Sequence, residues 1–136
     1  MKAILELSLR YGSGVVTIHD MAARLSIPVK FLEQILLDLK KGGFVQSKRG
    51  KIGGYILDKA PSKIKVGDVI RFIDGPVGPI ACVEERYSGC SDIACCIFRQ
   101  IWRDTANAIS GVIDNITFED LVNRARTQEL AVNYSI

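Results

Sequence analysis

The chain has no apolar run near the roughly 20 residues needed to cross a bilayer. It also has no charged start and small-residue cleavage site of a signal peptide, no internal repeat and no low-complexity segment. These absences argue against a secreted, membrane-spanning or repetitive protein, so we expect a cytoplasmic chain. With 136 residues, 48% of them hydrophobic and 24% charged, it can bury a core as a single domain or a small domain with an extension.

Cysteine is missing from most of the chain, and histidine occurs once, as His19. The absence of a C-x-x-C pair argues against a redox enzyme, and we expect no enzymatic activity. All four cysteines fall within one short segment: Cys82, Cys90, Cys95 and Cys96. Because cytosolic thiols stay reduced, metal or redox chemistry is a better interpretation than disulfides. The alternative is that they are small buried apolar residues.

The spacing of the cysteines favours one kind of metal site over another. Cys82 and Cys90 enclose seven residues, and Cys90 and Cys96 enclose five. Structural zinc sites favour pairs of ligands two to four residues apart, so zinc matches less well than a sulfur-rich cluster. Cys95 directly precedes Cys96, and adjacent cysteines seldom bind one metal together, so we interpret Cys95 as a spare thiol.

Residues 16–41 have the pattern of two helices joined by a tight turn. The first is predicted over Val16–Leu25, with Thr17 as its N-cap and Asp20 in the capping-box position. Pro28 is placed near the first turn of the second helix, where its missing N–H has no cost. The second helix is amphipathic through Leu32, Ile35, Leu36 and Leu39. This arrangement is typical of a helix-turn-helix.

A basic hairpin follows the second helix. Gly42 and Gly43 end the helix, and a strand beginning at Phe44 leads into a glycine-flanked turn. Three cations lie on that turn: Lys48, Arg49 and Lys51. Alone, such a run is most simply a solvated surface, but after a helix-turn-helix it predicts a winged helix that reads DNA.

The net charge of +3 conceals a strong asymmetry along the chain. Residues 1–65 carry twelve Lys or Arg against five Asp or Glu, a net of +7, and residues 66–136 carry six against ten, a net of −4. The first half is therefore predicted to be the nucleic-acid-binding half.

Three further helices are predicted beyond the hairpin. A short helix covers Ile64–Ile73, and a long one covers Ile97–Ile116 with an apolar stripe. A last short helix through Phe118 begins at Thr117, with Asp120 in its capping position.

Three segments together resemble the IscR, NsrR and CymR type of winged-helix transcription regulators, the Rrf-two superfamily. They are LEQILLDLKKGGFVQSKRGKIGGYIL, GDVIRFIDGP and, after the cysteines, IFRQIWRDT. The resemblance covers almost the whole chain, and the cysteine segment places it nearest the cluster-binding members. It implies a homodimer built by Ile97–Ile116, one iron-sulfur cluster per subunit, of the 2Fe-2S type, and operator DNA as partner. Relatives usually carry a short basic segment before the first helix, so a shortened start is an expectation.

By position, the resemblance assigns roles to individual residues. The base-facing positions of the recognition helix are Lys30, Phe31, Glu33 and Gln34, and Arg49 falls on the wing that enters the minor groove. Lys48 and Lys51 beside it are expected to bind phosphates. The cluster ligands are Cys82, Cys90 and Cys96. Arg99 occupies the place of a ligand histidine and cannot bind iron. The fourth ligand stays open among Cys95, Glu84, Glu85, Asp92, His19 and a residue of a partner subunit.

The expected fold is mainly α with a small β-wing. We expect a winged helix-turn-helix DNA-binding domain over residues 1–75, a cluster loop over 76–96, and a long dimerisation helix with a C-terminal segment over 97–136. The implied function is a transcription regulator, a repressor or dual regulator, that senses cluster status and controls cluster assembly genes. The alternatives are a nitric oxide or redox sensor of the same fold and, as a different class, an iron-sulfur or zinc protein that does not bind DNA. A basic wing argues against the last.

Overall fold

The computed structural model describes residues 1–78, 80–84 and 87–134, with side chains described up to residue 129. The described residues form two compact units. One consists of residues 1–64 together with those from 117 onward, and the other lies between residues 65 and 116. Within the described residues, no helix is long and apolar enough to cross a membrane.

The helix-turn-helix consists of α2, Ile18–Leu25, and α3, Val29–Lys41. The Thr17 hydroxyl accepts a hydrogen bond from the Asp20 N–H at 3.1 Å and donates one to the Asp20 carboxylate at 2.8 Å, which confirms the predicted cap. Ser26, at φ 53°, ends α2 in the left-handed region. The buried apolar face comes from both helices: Met21, Leu32, Leu36 and Leu39.

The wing is a two-stranded antiparallel sheet of β1, Val45–Lys48, and β2, Gly54–Leu57. Its register runs from Val45 opposite Leu57 to Lys48 opposite Gly54, so residues 49–53 form the tip. The predicted hairpin is therefore confirmed. Val16, predicted as the start of a helix, instead pairs with Tyr55 through two backbone hydrogen bonds of 3.0 and 2.9 Å.

Two helices distant in sequence complete this unit. Helix α1, Lys2–Leu9, contacts α6, Phe118–Tyr134, and their buried side chains include Ile4, Leu7, Phe118 and Val122. Thr117 and Asp120 form the predicted cap, with the Asp120 N–H donating to the Thr117 hydroxyl at 3.2 Å. The prediction of a short final helix was wrong, because α6 has 17 residues. Its later turns are rich in good helix formers such as arginine, glutamine and alanine, which extend it without a marked apolar face.

The second unit is built from α4, Val66–Asp74, and α5, Phe98–Ile113, with a single 3-10 turn at Ala81–Val83. Both helices occur where the sequence predicts them, but α5 ends before the predicted Ile116. The Ile116 carbonyl accepts a hydrogen bond from the Val66 N–H at 2.9 Å, which requires the chain to leave the helix. The domain boundaries predicted at residues 75 and 96 separate functions and stay a prediction. The two packing units are divided after residues 64 and 116.

Candidate nucleic-acid interface and cysteine segment

The outer face of α3 carries a mixed set of polar and aromatic side chains. All four predicted base-facing residues are exposed: Lys30, Phe31, Glu33 and Gln34. Phe31 is 62% exposed, which is unusual for an aromatic side chain on a helix that also buries three leucines. This face therefore offers cationic, anionic, amide and aromatic groups together, which is the range of contacts that base edges in the major groove can accept.

The C-terminal part of α3 is held by hydrogen bonds between its own side chains. The Gln34 amide donates to the Asp38 carboxylate at 3.3 Å, and the Lys41 ammonium donates to it at 2.9 Å. The hydrogen bond from Lys41, followed by that from Gln34, lowers the pKa of Asp38. Asp38 therefore stays ionised near neutral pH and keeps Gln34 aligned along the helix.

A hydrogen bond joins α3 to the wing. The Lys40 ammonium donates to the Ser47 hydroxyl of β1 at 2.7 Å. Both side chains are exposed or partly exposed, so this contact adds little stability, but it joins the recognition helix to the strand that carries the wing cations.

The wing cations are exposed and unbalanced by nearby acids. Lys48, Arg49 and Lys51 are all exposed, and no Asp or Glu occurs between residues 39 and 57. Among the described residues, the structure gives none of the three an ion pair. A protruding loop of uncompensated positive charge is suited to a polyanion such as the DNA backbone.

The four cysteines all lie in the second unit and are free thiols. Cys82 and Cys96 are half-buried, and Cys90 and Cys95 are exposed. Within the described residues, no three His, Cys, Asp or Glu side chains come close enough to hold a metal ion. Cys82, Cys90 and Cys96 are therefore not gathered into a preformed site in this conformation.

The candidates for a fourth ligand lie on different parts of the chain. Glu84 and Asp92 are exposed on the cysteine segment, and His19 is exposed on α2. Glu85 lies outside the described residues. Three free thiols on one irregular segment still have the donor chemistry that an iron-sulfur cluster needs.

Arg99 has a role that the sequence did not reveal. Its Nε donates a hydrogen bond to the Cys82 carbonyl at 3.2 Å, so the first turn of α5 is joined to the start of the cysteine segment. Arg99 also lines a cleft of about 170 Å³ with Cys96, Gln100 and Arg103. The i, i+4 spacing of Arg99 and Arg103 was a visible signal that two cations share one helix face next to Cys96.

Comparison with known proteins identifies this combination of helix-turn-helix, basic wing and cysteine segment. The model of the Rrf2 family, described as an iron-dependent transcriptional regulator, matches residues 1–124. The chain belongs to the Rrf2 family. This result confirms the resemblance deduced from the sequence motifs.

Individual relatives of this Rrf2-family protein are regulators of transcription. An "rrf2-like" HTH-type transcriptional regulator of Rhodobacter capsulatus is 38% identical over 129 residues, covering 90% of this chain and 86% of the relative. The HTH-type transcriptional regulator IscR of Escherichia coli is 35% identical, covering 95% of this chain and 78% of the relative.

Solved structures show the same fold. CymR, the global cysteine regulator of B. subtilis, has a TM-score of 0.73 at 31% identity, with 90% of this chain and 89% of CymR covered. IscR of T. potens has a TM-score of 0.70 at 31% identity, with 91% and 80% covered. The mainly α winged-helix fold is thus confirmed, and the protein is a DNA-binding transcription regulator. The relatives are regulators and not enzymes, which supports a non-enzymatic role indirectly.

Proposed function

We propose that this Rrf2-family regulator acts in the cytoplasm as a homodimer on operator DNA and senses iron-sulfur cluster supply through Cys82, Cys90 and Cys96. One combination of features carries the proposal. An exposed cationic wing adjoins the recognition helix, while the free thiols of Cys82, Cys90 and Cys96 lie on the segment that leads directly into α5. The first feature is suited to DNA and the second to a soft metal centre.

The DNA contacts follow from the chemistry of each exposed side chain. In the proposed complex, α3 lies in the major groove. There the Gln34 amide pairs with adenine, Glu33 accepts from the cytosine amino group, and Phe31 packs on a thymine methyl. The Lys30 ammonium donates to guanine or to a phosphate.

The wing contacts the same DNA from the adjacent groove. Arg49 enters the minor groove, where the negative potential is strongest when the groove is narrow. Lys48 and Lys51 neutralise phosphates on either side. The 2.7 Å hydrogen bond from Lys40 to Ser47 supports this arrangement, since it links the helix that reads bases to the strand that carries the wing.

The proposed cluster ligands are the thiolates of Cys82, Cys90 and Cys96. An iron-sulfur cluster held there would assemble only when iron and sulfide are supplied, and its charge would change with its oxidation state. Arg99 binds the Cys82 carbonyl, and Cys96 lies just before α5. A movement of either cysteine would therefore displace the first turn of that helix. Arg99 itself is not a proposed ligand, because a guanidinium group does not bind iron.

Homodimerisation through α5 is supported by the exposure of its apolar side chains. None of its residues is buried in the single chain. The exposed fractions of the apolar side chains Ile101, Ile109 and Val112 are 55%, 37% and 60%. A two-fold pairing of this helix covers that surface and sets the separation of the two recognition helices. A displacement of the start of α5 then alters how well the two recognition helices fit the two half-sites of the operator. The proposed targets are genes for cluster assembly.

Anaerobic purification tests the proposal. The parent protein should be coloured and contain iron and sulfide, whereas Cys82→Ala, Cys90→Ala and Cys96→Ala should each be colourless. Cys95→Ala is the matched control, because it removes a neighbouring thiol, and it should stay coloured. DNA binding should change with cluster content in the parent and not in the three colourless variants.

Three results would contradict parts of this assignment. If all four variants stay coloured, the cluster is not bound by this segment. Loss of colour only in Cys95→Ala would move the ligand register by one residue. A response to nitric oxide or oxidants, but not to iron supply, would favour the stress-sensing alternative.

A further inference from the structure

Ile52 lies at the tip of the wing and is 72% exposed. Among the described residues of the unit that contains the wing, it is the most exposed large apolar side chain. A single exposed apolar residue needs no explanation by itself. The position of Ile52 is different, because it directly follows Lys51 and lies three residues after Arg49 on the loop proposed to enter the minor groove.

The backbone of the loop keeps this side chain on the outside. The strands pair as far as Lys48 and Gly54, so only residues 49–53 make the turn. At Gly53 the chain folds back closely, and a Cβ there would lie 3.3 Å from the Lys48 carbonyl oxygen. Ile52, one residue earlier, therefore occupies the outer edge of a tight turn.

The walls of the minor groove suit an apolar side chain. They are formed by deoxyribose, and architectural proteins insert isoleucine, leucine or phenylalanine there to partly unstack a base step and kink the duplex. The floor differs between base pairs, because guanine presents an amino group at N2 that adenine lacks. A bulky apolar group at the floor therefore disfavours G·C pairs.

We propose that Ile52 is an apolar wedge that enters the minor groove beside Arg49 and gives the wing a preference for steps without the guanine N2 amino group. Lys48 and Lys51 hold the loop at the phosphates, and Ile52 then contacts sugars and base edges beside Arg49. This role rests on the proposed placement of the wing in the minor groove.

The test uses duplexes that the parent protein selects from a random-sequence DNA pool. After footprinting locates the wing contact, three duplexes are compared that carry A·T, G·C or inosine·C at that step. Inosine lacks the N2 amino group but otherwise resembles guanine. The parent should bind the A·T and inosine duplexes alike and the G·C duplex about 5- to 100-fold more weakly.

Matched variants separate the wedge from the charge. Ile52→Thr keeps the branched shape but is polar, and its preference against G·C should fall to below about threefold, whereas Ile52→Val should retain it. Lys51→Ala should weaken all three duplexes equally. If Ile52→Thr keeps the full preference against G·C, the proposed wedge is overturned but the placement of the wing on DNA is not. Unchanged affinity in both Arg49→Ala and Lys51→Ala would instead refute the placement of the wing on DNA.

Discussion

The Arg71 guanidinium binds the Asp114 carboxylate with two hydrogen bonds, from Nη1 at 2.6 Å and from Nη2 at 2.9 Å. Nη2 also donates to the Ser110 hydroxyl at 3.0 Å. These residues are about 40 positions apart and join α4 to the end of α5 within one unit, with a bidentate geometry that is stronger than a simple ion pair. Gly67 lies directly beneath the pair, because a Cβ there would overlap the Asp114 carboxylate.

Gly67→Ala should therefore lose most of the stability that alanine normally gains over glycine in a helix, because it disturbs an ion pair of half-exposed side chains that contributes little stability. The methyl group forces the Asp114 carboxylate away from Arg71. Gly111→Ala is the control, since nothing lies within 4 Å of a Cβ at that position of α5. It should raise stability by about 0.5–1 kcal/mol. Chemical denaturation measures both, and equal effects would contradict the crowding at Gly67.

Acid should weaken the fold through two aspartates. The hydrogen bond from Arg71 lowers the pKa of Asp114, and the backbone N–H of Thr117, followed by its hydroxyl, lowers the pKa of Asp120. The unfolded chain then binds more protons than the folded one as pH falls below the ordinary value of 3.8, so stability decreases.

Asp114→Asn and Asp120→Asn reveal this acid effect. Each should be less stable than the parent near pH 7, and the difference should shrink as the pH falls through the aspartate pKa of the folded protein. Thermal unfolding at pH 7 and at several pH values below 3.8 measures it. A difference that stays constant as the pH falls through this lower range would exclude these carboxylates as the source.

Gly54→Ala should disturb the base of the wing. A Cβ at Gly54 would lie 2.5 Å from the Val16 carbonyl oxygen, where Val16 pairs with Tyr55. We expect a loss of about 1–3 kcal/mol and weaker DNA binding. Gly50→Ala adds the same methyl group at the wing tip with nothing within 4 Å, and its stability should stay within about 0.5 kcal/mol of the parent.

The wing cations should differ in their effects on DNA binding. Arg49→Ala should lower operator affinity by about 5- to 100-fold and relax sequence preference, since a minor-groove arginine reads shape. Lys51→Ala should weaken all duplexes equally and reduce the salt slope by about one unit. Titrations at several salt concentrations distinguish them. Equal operator affinity in both variants and the parent would contradict the assignment.

Charged substitutions on α5 should separate the proposed dimer. Ile101→Glu or Val112→Glu places a carboxylate in the apolar seam, so light scattering should give the monomer mass. DNA affinity should fall as well, because the proposed dimer would place two recognition helices about 34–36 Å apart. Asn107→Ala changes an exposed polar residue of the same helix and should stay dimeric. A monomeric parent at micromolar concentration would refute the interface.

Local signals in the sequence were enough to predict much of the secondary structure of this protein. The caps at Thr17 and Thr117 depend on an aspartate three residues later, and the buried stripe of α3 depends on spacings of three and four. These interactions lie within one or two helical turns, so a reader of the sequence sees both partners together. The hairpin is similarly local, and with α2 and α3 it was sufficient to predict a winged helix.

Tertiary structure alone decided the contacts between residues far apart in the chain. The pairing of Val16 with Tyr55, the bond between Arg71 and Asp114, and the packing of α1 on α6 leave no periodic signal, because each depends on which surfaces meet after folding. They explain why a Cβ at Gly54 would meet the Val16 backbone and one at Gly67 would meet the Asp114 carboxylate. Cysteine spacing could suggest a ligand set, but whether thiols converge depends on the path of the loop, which packing and bound groups determine.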